Sequence, residues 1–214
     1  MGLAFIRDLS KDTQLGLWKV EESSSKLEQK LILNDEEKEF FKSLENNKRN
    51  YHWLGGRVLL RTMINTPEFI ELQNDENGKP YLVNYGYEIS LSHSFDYAAA
   101  MISKKCPVGV DIEKIRPKIR KIVRKFMHYK ECDEAGTEAE IKKLFVYWCA
   151  KEAMFKLYGK KPLSIRENIR ISPFTLEESG IVEGFFVDAP ALPQKKYEVH
   201  YIEYDGYMLA YVMD

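Results

Sequence analysis

The run from Glu138 to Tyr158 constrains this chain more than any other stretch. Ile141, Leu144, Phe145 and Trp148 recur at spacings of three and four, which predicts one long helix with a stripe facing a core. Continued by four residues, that stripe reaches Glu152, and by four more Lys156. A carboxylate where the pattern calls for an apolar residue must be paired, hydrated or metal-bound. Glu152 and Lys156 stand one turn apart and can address the same ligand. The plain alternative is an exposed Glu–Lys pair at a helix end.

Val108-Gly109-Val110-Asp111-Ile112-Glu113 alternates like a strand, with Val108, Val110 and Ile112 on one face and Gly109, Asp111 and Glu113 on the other. Two carboxylates at this spacing sit side by side and repel. The pair becomes favourable when a hard divalent cation lies between them, and Mg²⁺ takes a few carboxylates and completes its shell with water and phosphate oxygens. A solvated strand end explains the same residues. With Glu152 there are three candidate oxygen ligands, and Lys156 is at hand for a phosphate.

Together the two blocks resemble the 4′-phosphopantetheinyl transferases, in particular the larger, monomeric, surfactin-synthetase-activating type. That family shows a (V/I)-G-(V/I)-D-x-E block and, some tens of residues later, W-(S/C/T)-x-K-E-(A/S)-x-x-K. Here Val108 to Glu113 is followed by Trp148-Cys149-Ala150-Lys151-Glu152-Ala153 and Lys156, in the same order. The joint match is far more specific than either block.

Composition narrows the remaining classes. The formal charge of −1 over 214 residues argues against bulk binding to nucleic acid or an anionic membrane. Cys106, Cys132 and Cys149 cannot all pair with one another and form no C-x-x-C, which suggests a reducing cytoplasm. No signal peptide and no apolar run of spanning length is visible.

Strands are expected at Leu3 to Ile6, Leu15 to Val20, Pro80 to Val83, Tyr87 to Ser92, Tyr97 to Ser103, Ile169 to Ile171, Gly184 to Val187, Lys196 to Tyr204 and Tyr207 to Met213. The last two form a hairpin around Asp205-Gly206, and Ser94-Phe95-Asp96 reads as a second hairpin turn. Helices are expected near Leu27 to Leu31, from Asn34 or Asp35 through Leu44 with a break at Asn46-Asn47, and from about Arg49 to Ile64. Ile115 to Met127 is basic and partly helical, and Glu131 to Gly136 is a short helix or loop.

Trp53, Arg57 and Arg61 repeat the spacing of Trp148, Glu152 and Lys156, and Tyr97 to Ile102 echoes Tyr207 to Val212. The expectation is an α+β fold, a pseudo-twofold duplication of a helix plus antiparallel-sheet unit, divided as 1–106 and 107–214. The resemblance implies such a pair with the active site between the halves, cations for phosphate in the first and carboxylates for metal in the second.

The resemblance also implies a coenzyme A site. Gly56-Arg57, followed by Arg61, matches a G-R-x-x-x-R pattern and implies Arg57 at the 3′-phosphate; helix-surface packing is the preferred reading of Arg61. Gly78-Lys79-Pro80 matches a G-K-P turn whose lysine meets phosphate, and Ser92-His93-Ser94 matches an S-H-S segment whose Ser92 and His93 contact phosphates. Lys48 and Arg49 are further basic candidates. Glu131, at the end of an F-x-x-x-x-E segment, reads equally as an acid behind the site, one facing the carrier, or a surface residue. Lys118 to Lys130 is a basic run, either a solvated helix face or a dock for an acidic carrier.

The implied chemistry is transfer of 4′-phosphopantetheine from coenzyme A to a serine of an acyl or peptidyl carrier protein, with release of 3′,5′-adenosine diphosphate. Asp111, Glu113 and Glu152 would hold Mg²⁺, with Mn²⁺ as the alternative ion. Glu152, directly or through water, would take the serine proton. Lys156 would offset phosphate charge, with Lys151 as a second candidate. Two other classes compete: a metal-dependent phosphohydrolase, with water as acceptor, and a non-catalytic carrier-binding module, expected to have lost a carboxylate or Lys156.

Overall fold

The structure is a computed structural model and describes residues 2–43, 48–129, 131, 138–187 and 195–214. The Asn46-Asn47 break, Leu44, Cys132 and 133–136 lie outside the described residues, as do the side chains of Lys48 and Arg49. The chain divides into two compact units, one of Met1–Asp75 with Pro80–Lys105, the other of Glu76–Lys79 with Cys106–Asp214. The short turn 76–79 therefore breaks the simple division into two consecutive halves. It is tied to the second unit because Asn77 Oδ1 accepts the N–H of Lys161 at 3.1 Å.

In the first unit, β1 (Leu3–Asp8), β2 (Thr13–Lys19), α1 (Ser24–Glu28), α2 (Asp35–Ser43) and α3 (Lys48–Ile64) are followed by β3 (Leu72–Asn74), β4 (Pro80–Leu82), β5 (Glu88–Ser94) and β6 (Tyr97–Ser103). The main sheet is antiparallel in the order β1-β2-β6-β5, and β3 pairs β4 separately. Leu54, Val58, Leu59, Leu60 and Met63 of α3 pack with Trp18, Ile89, Ala100 and Ile102 from the sheet. The approach is close because β2 carries Gly16 beneath the helix. A Cβ there would stand 2.6 Å from Met63 Sδ and 2.9 Å from Leu59 Cδ1.

In the second unit, β7 (Val108–Lys114) leads through a 3₁₀ turn (Pro117–Lys121) and α4 (Val123–Phe126) to α5 (Glu138–Tyr158), then α6 (Ile165–Asn168). Strands β8 (Ile169–Ile171), β9 (Ser179–Phe186), β10 (Lys196–Tyr204) and β11 (Tyr207–Met213) complete an antiparallel sheet in the order β7-β11-β10-β9-β8. The β10–β11 connection uses Asp205 at φ 49° and Gly206 at φ 77°, both in the left-handed region, as a two-residue hairpin loop requires. Helix α5 lies across β7 and β11. Gly109 is the point of contact, since a Cβ there would run into the carbonyl of Ala153.

Each unit follows the same path. A strand precedes a long helix, antiparallel strands follow, and the last of them pairs with the strand before the helix. The pairings are β2 with β6, as in Gly16↔Ala100, and β7 with β11, as in Asp111↔Ala210. Both helix-facing strands carry a glycine under the helix, Gly16 and Gly109. The fold is α+β, helix on antiparallel sheet.

Several details differ from the sequence expectation, among them α1, which forms at Ser24–Glu28 rather than near Leu27 to Leu31. The α5 bounds agree, but its burial is wider than one stripe. Leu144 to Tyr147, Cys149 to Lys151, Ala153, Met154 and Leu157 are all buried, the pattern of a central helix covered on most sides. Strand β3 and the first half of β9 escape detection because Leu72-Gln73-Asn74 and Ser179-Gly180 carry little apolar alternation. Ser94 is the last residue of β5 rather than part of the turn, which narrows to Phe95 and Asp96, with Phe95 at φ 48°.

Candidate active site

The face of β7 that bears Gly109 and Asp111 is turned to α5, so the carboxylate pair is not a solvated strand end. Asp111 is 5% exposed. Lys156 reaches back from the last turn of α5, and its Nζ donates to Asp111 Oδ1 at 2.8 Å and to the Val110 carbonyl at 3.0 Å. One ammonium thus bridges side chain and backbone of the strand. A charge-assisted contact this short, at a site with little water around the acid, fixes the lysine's position.

Glu152, one turn before Lys156, is partly buried. Burial pushes its carboxyl up from an ordinary 4.5 to about 7; Asp111 and Glu113 add to the rise, and Lys156 opposes it. Cys149, on the same helix, is fully buried and donates to the Met208 carbonyl at 3.5 Å. Burial, then the charges of Asp111 and Glu113, hold its thiol well above its ordinary range, which makes it an inert packing residue rather than a nucleophile. Asp111, Glu113, Glu152 and Lys156 therefore act on one another electrostatically.

As placed, no group of three or more His, Cys, Asp and Glu side chains among the described residues is arranged to hold a metal ion. The donor chemistry nonetheless fits one. Among the described residues Lys156 forms an ion pair with Asp111 alone, and Glu152, raised first by burial and then by Asp111 and Glu113, stands at a site short of positive charge. A hard divalent cation supplies that charge and prefers oxygen ligands.

Lys151 is not part of this group. It is 0% exposed and points to the opposite side, with Nζ 2.6 Å from Glu131 Oε2 and 2.8 Å from the Phe126 carbonyl. Glu131 also accepts the N–H of His128 at 2.8 Å and of Ile171 at 3.0 Å. It is therefore not a surface acid. The pair ties α5, β8 and the segment after α4 together, and its partners are satisfied as a buried ion pair requires.

The candidate coenzyme A residues fall in both units. Arg57 lies on α3, with Nε 3.2 Å from Glu37 Oε1 and its guanidinium 3.7 Å from the centre of the Trp53 ring. Burial lowers its pKa while Glu37 opposes the change. Arg61 donates to the carbonyls of Glu68 at 2.7 Å and Pro67 at 2.5 Å, a local packing role. Ser92 is nearly buried on β5, while His93 is exposed and stacks on His52 at 4.3 Å and 15°. His52 in turn bonds the Phe95 carbonyl at 2.8 Å. Pro80 opens β4. Lys79, in the turn before it, has Nζ 3.4 Å from the Leu157 carbonyl at the end of α5, beside Gly159 in the left-handed region at φ 66°. A cation suits a helix C-terminus.

Sequence reasoning missed two partners here, Glu37 and His52. Glu37 has a legible signal, since Asn34-x-x-Glu37 is a capping-box pattern. His52 has none, because its stacking depends on how α3 lies on β5.

The geometry of the second unit coincides with a family match. Residues 107–212 fit the model of the 4′-phosphopantetheinyl transferase superfamily, and through this stretch the chain belongs to that superfamily. Among curated proteins it is 31% identical over 136 residues to the 4′-phosphopantetheinyl transferase gsp of Aneurinibacillus migulanus, covering 60% of this chain and 56% of the relative. It is 30% identical over 174 residues to the phosphopantetheinyl transferase of Thraustochytrium sp., covering 70% and 59%. It is 33% identical over 118 residues to the 4′-phosphopantetheinyl transferase AcpT of Escherichia coli, covering 52% and 59%. The matched stretch thus spans between 56% and 59% of the length of these three relatives. No helix among the described residues is long and apolar enough to cross a membrane.

Proposed function

We propose that this chain transfers 4′-phosphopantetheine from coenzyme A to a serine hydroxyl of an acyl or peptidyl carrier protein, releasing 3′,5′-adenosine diphosphate. The observation that carries the reading is the Lys156–Asp111 ion pair, with Glu152 one turn before Lys156 on α5, within the stretch that matches the family.

In the proposed step the serine oxygen bonds to the β-phosphorus of coenzyme A. The bond to the oxygen bridging the two phosphates breaks, and the electron pair leaves with 3′,5′-adenosine diphosphate. Glu152, directly or through a water, takes the serine proton. Lys156 stays on Asp111 and offsets charge that develops on the leaving oxygen. Asp111, Glu113 and Glu152 would hold Mg²⁺, or Mn²⁺ in its place, which supplies charge neutralisation at the pyrophosphate. Arg57 is assigned to the 3′-phosphate, and Lys79, Pro80, Ser92 and His93 to the rest of the coenzyme A phosphates and their turn. The exposed cations Lys118, Arg120, Lys121, Arg124 and Lys125, on a segment anchored by buried Ile119 and Phe126, suit an acidic carrier surface. The buried thiol of Cys149 suits a reducing cytoplasm, and the working unit is read as a monomer.

The test is incubation with apo carrier proteins, coenzyme A and Mg²⁺, followed by mass spectrometry of the carrier. A carrier heavier by one phosphopantetheine supports the reading. Hydrolysis of a phosphate ester without a carrier adduct would indicate a phosphohydrolase, and carrier binding with no chemistry a binding module.

A further inference from the structure

Arg57 is held in place by a second acid that is itself immobilised. Trp53, one turn earlier on α3, supports the guanidinium with its ring face and is flanked by Phe41, stacked at 6.1 Å, and Phe40 at 5.7 Å. Glu37 meets Nε with Oε1. Its backbone N–H donates to Asn34 Oδ1 at 2.8 Å, and its Oε2 accepts the N–H of Asn34 at 3.4 Å, a reciprocal capping box at the start of α2. One carboxylate oxygen closes the helix end while the other orients the arginine. The two side chains are 16% and 12% exposed, so each charge is largely withdrawn from water and neutralised by the other. Glu37 and Trp53 are the partners of Arg57 among the described residues, and the Glu37 contact uses Nε. The Nη1–Nη2 edge is thereby left as a pair of parallel donors, the geometry that grips two oxygens of one phosphate.

We propose that Glu37 is a specificity-determining residue: it orients Arg57 toward the 3′-phosphate of the nucleotide substrate and, by half-neutralising the guanidinium, moderates how strongly that phosphate is held. The proposal rests on the coenzyme A reading given above. Glutamine at this position keeps an acceptor for Nε and keeps the capping box, which Gln also forms. It removes one negative charge a few ångströms from the incoming dianion.

Titration calorimetry of the full chain with coenzyme A, dephospho-coenzyme A and 3′,5′-adenosine diphosphate tests this. Glu37→Gln should tighten both 3′-phosphorylated ligands by about 3- to 10-fold, as removal of a like charge near the surface predicts, and leave dephospho-coenzyme A unchanged. Arg57→Met should erase the preference for coenzyme A over its dephospho form. If Arg57→Met erases the preference but Glu37→Gln leaves it unchanged, Glu37 is only a helix cap and the proposal falls, while the transferase reading stands. If Arg57→Met keeps the preference, Arg57 is not the phosphate residue and the proposal falls with it. Should Glu37→Gln fail to fold, Glu37→Asp, which keeps the charge but shortens its reach to Nε, must change the preference, and an unchanged value overturns the proposal. Wild-type protein that binds none of the three ligands overturns both the proposal and the reading beneath it.

Discussion

Replacing Glu152 by Gln should make the metal-free protein more stable at pH 8 and nearly unchanged at pH 4.5. The carboxyl is raised to about 7 in the folded chain against an ordinary 4.5. The folded state therefore holds the proton more tightly than the unfolded state. The penalty for ionising Glu152 is absent below its unfolded pKa, grows between 4.5 and 7, and is fully present above that window. At about 1.4 kcal/mol per pH unit the difference amounts to no more than about 3.5 kcal/mol. Glu152 is partly exposed, and solvent screening reduces this to about 1–2 kcal/mol. Gln keeps the size and the helix propensity but carries no charge to desolvate. For a chain of this length the gain is about 2–8 °C in Tm. Thermal melts of both proteins in EDTA at pH 4.5, 6 and 8 give the profile. Adding Mg²⁺ at pH 8 should raise the wild-type Tm and leave Glu152→Gln nearly where it was. A gain that is the same at pH 4.5 and pH 8, or a loss at pH 8, refutes the assignment of Glu152 to an acid-rich, charge-deficient site.

Gly109→Ala should destabilise the protein by about 2–4 kcal/mol in urea unfolding, because the new Cβ meets the Ala153 carbonyl, which cannot move without displacing α5. Lys151→Met should cost about 3–5 kcal/mol by the same measurement, since it strands the buried Glu131 carboxylate, and adding Glu131→Gln should recover most of that loss. Lys156→Ala should lower turnover in a carrier-modification assay while coenzyme A affinity, read by calorimetry, falls little. Its ammonium is 27% exposed and its partner is Asp111, so its loss removes charge compensation more than packing.

Much of the second unit is legible in the sequence because two periodicities meet there. The helix reads from Glu138 to Tyr158 because nothing in it breaks the 3.6 period, and β7 reads from its alternation. What the pattern hides is orientation. Asp111 looks like one of two acids on a wet strand face, yet that face is covered by α5 and the acid is buried. Lys151 and Lys156 look alike in composition and differ by five positions on the helix, which turns one toward Glu131 and the other toward Asp111. Such a difference follows from helical phase once the sheet face is known, and a single stripe of apolar residues does not reveal it when the helix is buried on more than one face. Arg57 shows the same limit. Its motif points to phosphate, but its companions Glu37 and Trp53 come from α2 and from the preceding turn of α3, and the motif contains neither.

The central claim is the transfer itself, and the mass of an apo carrier protein tests it most directly. Incubation with the wild-type chain, coenzyme A and Mg²⁺ should add one phosphopantetheine to the carrier and release one 3′,5′-adenosine diphosphate. Glu152→Gln should add none on the same timescale while still binding coenzyme A, since general-base loss alone costs about 10²–10⁴-fold. Near-normal carrier modification by Glu152→Gln, or an unmodified mass for every carrier offered to the wild-type chain, would contradict the account.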